Sequence, residues 1–153
     1  MKKMKFFVTA LALMLSCVAA NAVETIGVAN YKKIEAEYNF AKQTYKQLDD
    51  KIMELQQFVI DKDKEFKAIE SPIQKKNFEE KTQKEYKAKE DALLNLKVSK
   101  QDQIYENILN ATKAVAKQKG ITMVLDYRVI FIGGTDISDD VIKYLNATPT
   151  AKK

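Results

Sequence analysis

From Tyr38 to Lys119 the chain has no Gly and one Pro, and its apolar residues return at intervals of three and four. In the first half, Tyr38, Ala41, Tyr45, Leu48, Ile52, Leu55, Val59, Phe66 and Ile69 trace a heptad seam. Tyr38, Tyr45, Ile52, Val59 and Phe66 hold one core position; Ala41, Leu48, Leu55 and Ile69 hold the other, and Lys62 interrupts it. Ser71-Pro72 then punctuates the pattern, since serine suits an N-cap and proline the first helical position. The pattern predicts two long helices joined by a turn near residues 70–73, forming an antiparallel hairpin arm over 38–119.

The second helix follows another period. Leu93, Ile104 and Val115 are eleven apart, as are Tyr86, Lys97 and Ile108, and also Phe78, Lys89, Lys100 and Ala111. Eleven-residue repeats favour a slight right-handed supercoil and heptads a left-handed one, so the two helices are not expected to zip tightly throughout. Lys62, Lys89 and Lys100 on the seams would loosen the pair further, and replacing Lys62 with Leu is expected to tighten it. At ~1.5 Å per residue the helices run roughly 50 and 70 Å. The overhang of the second carries Ile104, Ile108, Leu109, Ala111, Ala114 and Val115, and is expected to dock on a globular base.

That base draws on both ends of the chain. Residues 24–29 alternate, with Ile26 and Val28 on one face of a short strand. Asn30 suits the cap of a short helix over 31–37. Gly120 reads as a helix stop. Residues 121–125 and 128–132 look like two strands of a hairpin around Asp126-Tyr127, ended by Gly133-Gly134. Ser138 is expected to cap a last helix, with Asp139 and Asp140 in its first turn and Val141, Ile142 and Leu145 on its apolar face. The expected fold is α+β and mostly α: a small body from 23–37 and 120–146, the arm over 38–119, and a flexible tail over 147–153. The predicted body core is Ile26, Val28, Val124, Leu125, Val129, Phe131 and Val141. The predicted arm seam is Tyr45, Leu48, Ile52, Leu55, Val59, Phe66, Ile69, Leu93, Ile104 and Val115. So small a body, with open sheet edges, calls for several copies to pool one core.

Composition changes the picture in three places. First, Lys2, Lys3 and Lys5 precede an apolar run over 6–15 and a small-x-small site at Ala20-Asn21-Ala22, the layout of a secretory signal cleaved after Ala22. The run is short for a membrane anchor. A lipoprotein reading would need Cys17, but Leu15 stands where a small residue is usual. Second, cleavage removes the only Cys and three Lys, leaving 23 basic residues against 21 acidic, a net charge of +2 that weakens any nucleic-acid reading. Third, the chain of 153 residues has no His, no phosphate-cradling loop and no nucleotide fingerprint. Asp136, Asp139 and Asp140 fit a helix start better than a cation site. No catalytic constellation, metal site or cofactor is expected. Asn110 and Asn146 match the glycosylation pattern by chance.

Two stretches resemble one family. Residues 26–34, IGVANYKKI, are similar to the first strand and helix entry of the Skp/OmpH family of periplasmic chaperones. Residues 114–146, AVAKQKGITMVLDYRVIFIGGTDISDDVIKYLN, resemble its C-terminal signature, with the last helix entered at Asp136-Ile137-Ser138-Asp139-Asp140-Val141. The arms match in length and position. The resemblance implies a homotrimer whose arms enclose a cavity, holding unfolded outer-membrane β-barrel proteins without ATP and without enzyme activity. A holdase needs no active site, only scattered apolar contacts. Phe40, Phe58, Leu94, Val98 and Tyr105 lie off the seams and are the candidates for client contact. Residues 62–89 carry nine Lys against six acids, so the tips would weakly attract anionic lipid headgroups or lipopolysaccharide. The competing reading is an exported structural coiled-coil tether, which accounts for the arms but not for the split base.

Overall fold

A computed structural model describes residues 25–148. The elements run β1 (Ile26–Ala29), α1 (Tyr31–Glu37), α2 (Asn39–Lys67), α3 (Pro72–Gln118), β2 (Met123–Asp126), a 3-10 turn (Tyr127–Val129), β3 (Thr135–Asp136) and α4 (Ser138–Ala147). The protein is mostly helical, with one small sheet. The expected signal segment, its cleavage site and most of the expected tail lie outside the described residues.

The two long helices start and stop where local chemistry dictates. Pro72 opens α3 at its first position behind Ser71, whose hydroxyl makes no cap bond. Gly120 closes α3 with φ 66°. The Ile121 N–H returns to the Ala116 carbonyl at 2.9 Å and the Gly120 N–H to Lys117 at 3.3 Å, a Schellman closure that turns the chain toward the sheet. Contacts between α2 and α3 pair Phe66 with Phe78, Phe58 with Lys89, Phe40 with Lys100 and Tyr38 with Asn107. Rising numbers on α3 thus meet falling numbers on α2.

The sheet differs from the expected hairpin. Its order is β2-β1-β3, and both pairings are parallel, Ile26 to Met123 and Gly27 to Thr135 among them. Residues 128–132 form no strand. Asp126 caps the 3-10 turn instead, accepting from the Arg128 N–H at 2.9 Å and from its guanidinium at 2.8 Å, and this local bonding turns the chain away from β2. Gly134, at φ 84°, lies where a Cβ would come within 2.5 Å of the Val28 side chain, so the return to β1 requires glycine.

The core is built by helices rather than by the sheet. Ile34, Tyr38, Ala41, Ile104, Ile108, Ala111, Val115, Ile121, Ile137, Val141 and Leu145 are buried together where α1, the start of α2, the end of α3 and α4 meet. The apolar end of α3 therefore packs on α1 and α4, where those two helices supply the facing residues. Of the residues expected to fill the body, Val141 is fully buried and Val28, Val124 and Leu125 are half-buried. Ile26, Val129 and Phe131 are exposed and lie outside the chain's own core. In β1 it is Gly27 and Ala29 that turn inward, because the helices cover the opposite face from the one its alternation marked.

Candidate functional site

Among the described residues no group of three or more His, Cys, Asp or Glu is placed to hold a metal, and no helix is long and apolar enough to cross a membrane. Every buried side-chain nitrogen or oxygen among them has a hydrogen-bond partner. The features open to a partner are the paired long helices and the outer face of the body.

The joint between them is tightly specified. The chain breaks helix at Tyr38, which is extended (φ −72°, ψ 118°) and has no side-chain cap to offer α2. Asn146 on α4 supplies one from across the fold. Its Oδ1 accepts from the Asn39 N–H at 2.8 Å, and its amide donates to the Glu37 carbonyl at 3.1 Å. One side chain thus serves two of the backbone groups left open at the break. The Tyr38 hydroxyl accepts from Asn107 at 3.2 Å. Glu35 takes hydrogen bonds from Tyr45 at 2.6 Å and Tyr31 at 3.5 Å. Burial, then the Glu35 bond, pushes the Tyr45 hydroxyl's pKa well above its ordinary value. On the far side, Ile137 holds the cap position, and Ser138, the predicted cap, is instead the first residue of α4. Its N–H and hydroxyl bond Asp136 at 2.8 and 2.6 Å, while its oxygen accepts from the Asn30 N–H at 2.9 Å. Those Ser138 bonds hold the Asp136 carboxyl below its usual range. Lys33 pairs with Asp139, and Lys119 with Asp140.

Along the helix pair, Ala41, Leu48, Leu55 and Ile69 face inward to differing degrees, and Lys62 joins them. The other seam position is followed in part: Tyr38, Tyr45 and Phe66 are covered as expected, while Ile52 and Val59 are exposed and Thr44 and Phe58 are covered beside them. Tyr45, Phe66, Ile69 and Leu93 are half-buried; Leu48, Ile104 and Val115 are buried. The lysines on the seam lie over aromatic rings. Lys62 Nζ lies 5.8 Å from the Phe58 ring centre and 5.6 Å from that of Phe78, and bonds Glu65 at 2.8 Å. Lys89 stands 5.2 Å over Phe58, Lys75 5.3 Å over Phe66 and Lys100 5.7 Å over Phe40. At these distances an ammonium is attracted to a ring face, and the lysine stem packs beneath it.

The client-contact candidates separate accordingly. Phe40 and Phe58 are half-buried under lysines within the helix pair. Leu94, Val98 and Tyr105 are exposed. At 100° per residue they share one stripe of α3, roughly a quarter-turn from the seam. In the body, Ile26, Met123, Val129, Phe131 and Ile132 are exposed. Sequence reasoning missed the cap made by Asn146, which no local pattern signals, and the outward turn of the Val129–Ile132 run, which the Arg128 bonds to Asp126 impose.

The described residues thus form a helix-built base joined through a specified break to a long helix pair. The family model described as Outer membrane protein (OmpH-like) matches residues 25–145. The chain belongs to this family, whose members are periplasmic chaperones rather than enzymes. No curated protein matches the sequence closely.

Proposed function

We propose that the protein is an ATP-independent periplasmic holdase that keeps unfolded outer-membrane β-barrel proteins from aggregating. In this reading α2 and α3 form an antiparallel hairpin arm, and the bodies of three copies join so that the arms surround a cavity. The observation that carries it is the exposed stripe of Leu94, Val98 and Tyr105 on a long helix whose other face is already partnered. A soluble arm keeps apolar side chains in water at a cost, and scattered contacts of this kind suit a disordered client that no single pocket could fit. The opposed contact order, Phe66 to Phe78 near the turn and Tyr38 to Asn107 near the body, supports the antiparallel arm. The exposed apolar face of the body supports self-association. Export through the amino-terminal signal and weak attraction of the basic tips to anionic headgroups complete the reading.

The test is a shortened arm. Removing about residues 58–94 and closing the helices with a short turn leaves the body's core untouched, because that core begins at Ile104 on α3 and ends near Leu48 on α2. Carrying Val98→Ser and Tyr105→Ser as well, so that the whole stripe is gone, the shortened protein is expected to assemble as before and to lose suppression of aggregation of an unfolded β-barrel protein. Full activity in the shortened protein would place the client on the body, and no suppression by the intact protein would favour a structural tether.

A further inference from the structure

We propose that the far half of the helix pair carries a subsite for single neutral aromatic side chains of an extended polypeptide. The inference rests on the holdase reading for its partner and on the chemistry of one groove for its selectivity. Between α2 and α3, a groove of about 650 Å³ is lined by Phe58, Phe66, Phe78, Tyr86 and Lys62. All four rings are half-buried, so each keeps part of its surface available. Phe66 and Phe78 lie 6.3 Å apart at 39°, leaving edges and faces tilted toward the opening. A third ring can enter such an arrangement offset or edge-on, the geometries that aromatic quadrupoles favour.

Lys62 makes the groove selective. Its ammonium stands between the Phe58 and Phe78 rings and is fixed by Glu65, with a quarter of the side chain exposed. A cation held within about 6 Å of ring faces attracts one more ring and offers an aliphatic side chain nothing comparable. Asp63 and Glu79 also line the groove. Asp63 is paired with Lys67, and Lys75 and Lys89 stand over the Phe66 and Phe58 rings, so the selectivity of the groove rests on its rings and the Lys62 cation, and displacement of the peptide by an anionic headgroup would overturn the subsite. An aromatic side chain removes about 150–250 Å² from water on burial, so one contact gives a useful but reversible hold.

The protein has no Trp, so a bound tryptophan reports without background. The probe is an uncharged Gly-Ser peptide with capped ends and one central Trp, titrated into the full chain and followed by its emission. We expect a saturable blue shift, with competition by the Phe version of the peptide and competition at least about threefold weaker by the Leu version. Phe78→Leu and, separately, Lys62→Gln should weaken Trp binding and erase the preference for Phe over Leu. Ile73→Ser, exposed at the turn, should change neither. Retained helicity of Lys62→Gln keeps that variant informative if Phe78→Leu unfolds. Equal competition by Phe and Leu peptides, or binding untouched by Lys62→Gln, overturns the subsite. Aggregation assays separate the two levels. Wild-type protein that protects a client without aromatic preference sinks the subsite alone; wild-type protein with the preference but no protection sinks the holdase reading and leaves the subsite standing.

Discussion

Phe131 is fully exposed, and Ile132 beside it is 89% exposed. Replacing an exposed residue that makes no contact shifts folding free energy by no more than about 0.5 kcal/mol, so Phe131→Ser should leave an isolated chain as stable as before. If the bodies of three copies join over this face, the outcome changes. Each ring would take about 150–250 Å² out of water, worth about 4–6 kcal/mol per subunit at ~25 cal/mol per Å². Association offsets part of that through lost freedom and ordering of the loop, leaving about 2–4 kcal/mol per subunit, the range of an interface hot spot. Three equivalent contacts multiply the effect on assembly. The assay is denaturant unfolding at two protein concentrations about a hundredfold apart, paired with sedimentation. The wild-type midpoint should rise with concentration, because assembly draws on the folded state. Phe131→Ser should lose that dependence and sediment as a folded single chain. An unchanged mass together with an unchanged concentration dependence would refute the reasoning and place the association surface elsewhere.

Three further outcomes follow from the geometry. Asn146→Ala should lower stability by about 1–2 kcal/mol, from two lost hydrogen bonds to backbone, one of which caps α2, and should speed amide exchange at Asn39; a loss below about 0.5 kcal/mol would show that the joint does not depend on it. Asp136, held below its ordinary value of 3.8 by the Ser138 hydrogen bonds, stabilises the fold above that pH and stops doing so as pH falls through its lower folded value. Wild type should therefore exceed Asp136→Asn in stability near neutrality, and the gap should close below about pH 4 in denaturant titrations; a gap that persists in acid would assign it to something other than the carboxylate. Lys62→Leu should leave amide exchange over 55–69 unchanged, because the lysine already covers the Phe58 and Phe78 rings; markedly slower exchange would restore the sequence-based view of Lys62 as a loosened point in the seam.

The long helices were legible because their signals are local: a repeat without Gly, a Pro in the first turn, a Gly just past the end. Asn30 was equally readable, and its Oδ1 accepts from the Lys33 N–H at 3.1 Å as an N-cap should. The departures from the seam were not, since Ile52 and Val59 face solvent while Thr44 and Phe58 are covered, and no local pattern says so. Residues 128–132 have strand composition, but the Asp126–Arg128 bonds decide their path. The face of β1 was misread for a related reason. Alternation marks two faces, and only the long-range placement of α1 and α4 says which is covered. For the candidate site, apolar residues off the seam could be named, and three of them are exposed. The Lys62–Phe58 pair has ordinary helical spacing, but Lys89 over Phe58 and Lys100 over Phe40 join residues tens of positions apart, and no periodicity announces them.

The sheet places the earliest strand in the middle. β1 pairs with β2 on one side and β3 on the other, and Asn30 waits for Ser138, 108 residues further on. Nothing near β1 in sequence can complete it. During synthesis the long helices can form from neighbouring residues alone, while the base has no partner for its central strand until Met123–Asp126 has emerged. Closure of so long a loop is slow compared with helix growth, so folding is ordered in time, with the long helices taking shape first and the base last. A truncation that removes β3 and α4 strips β1 and the core of partners that no described residue upstream replaces.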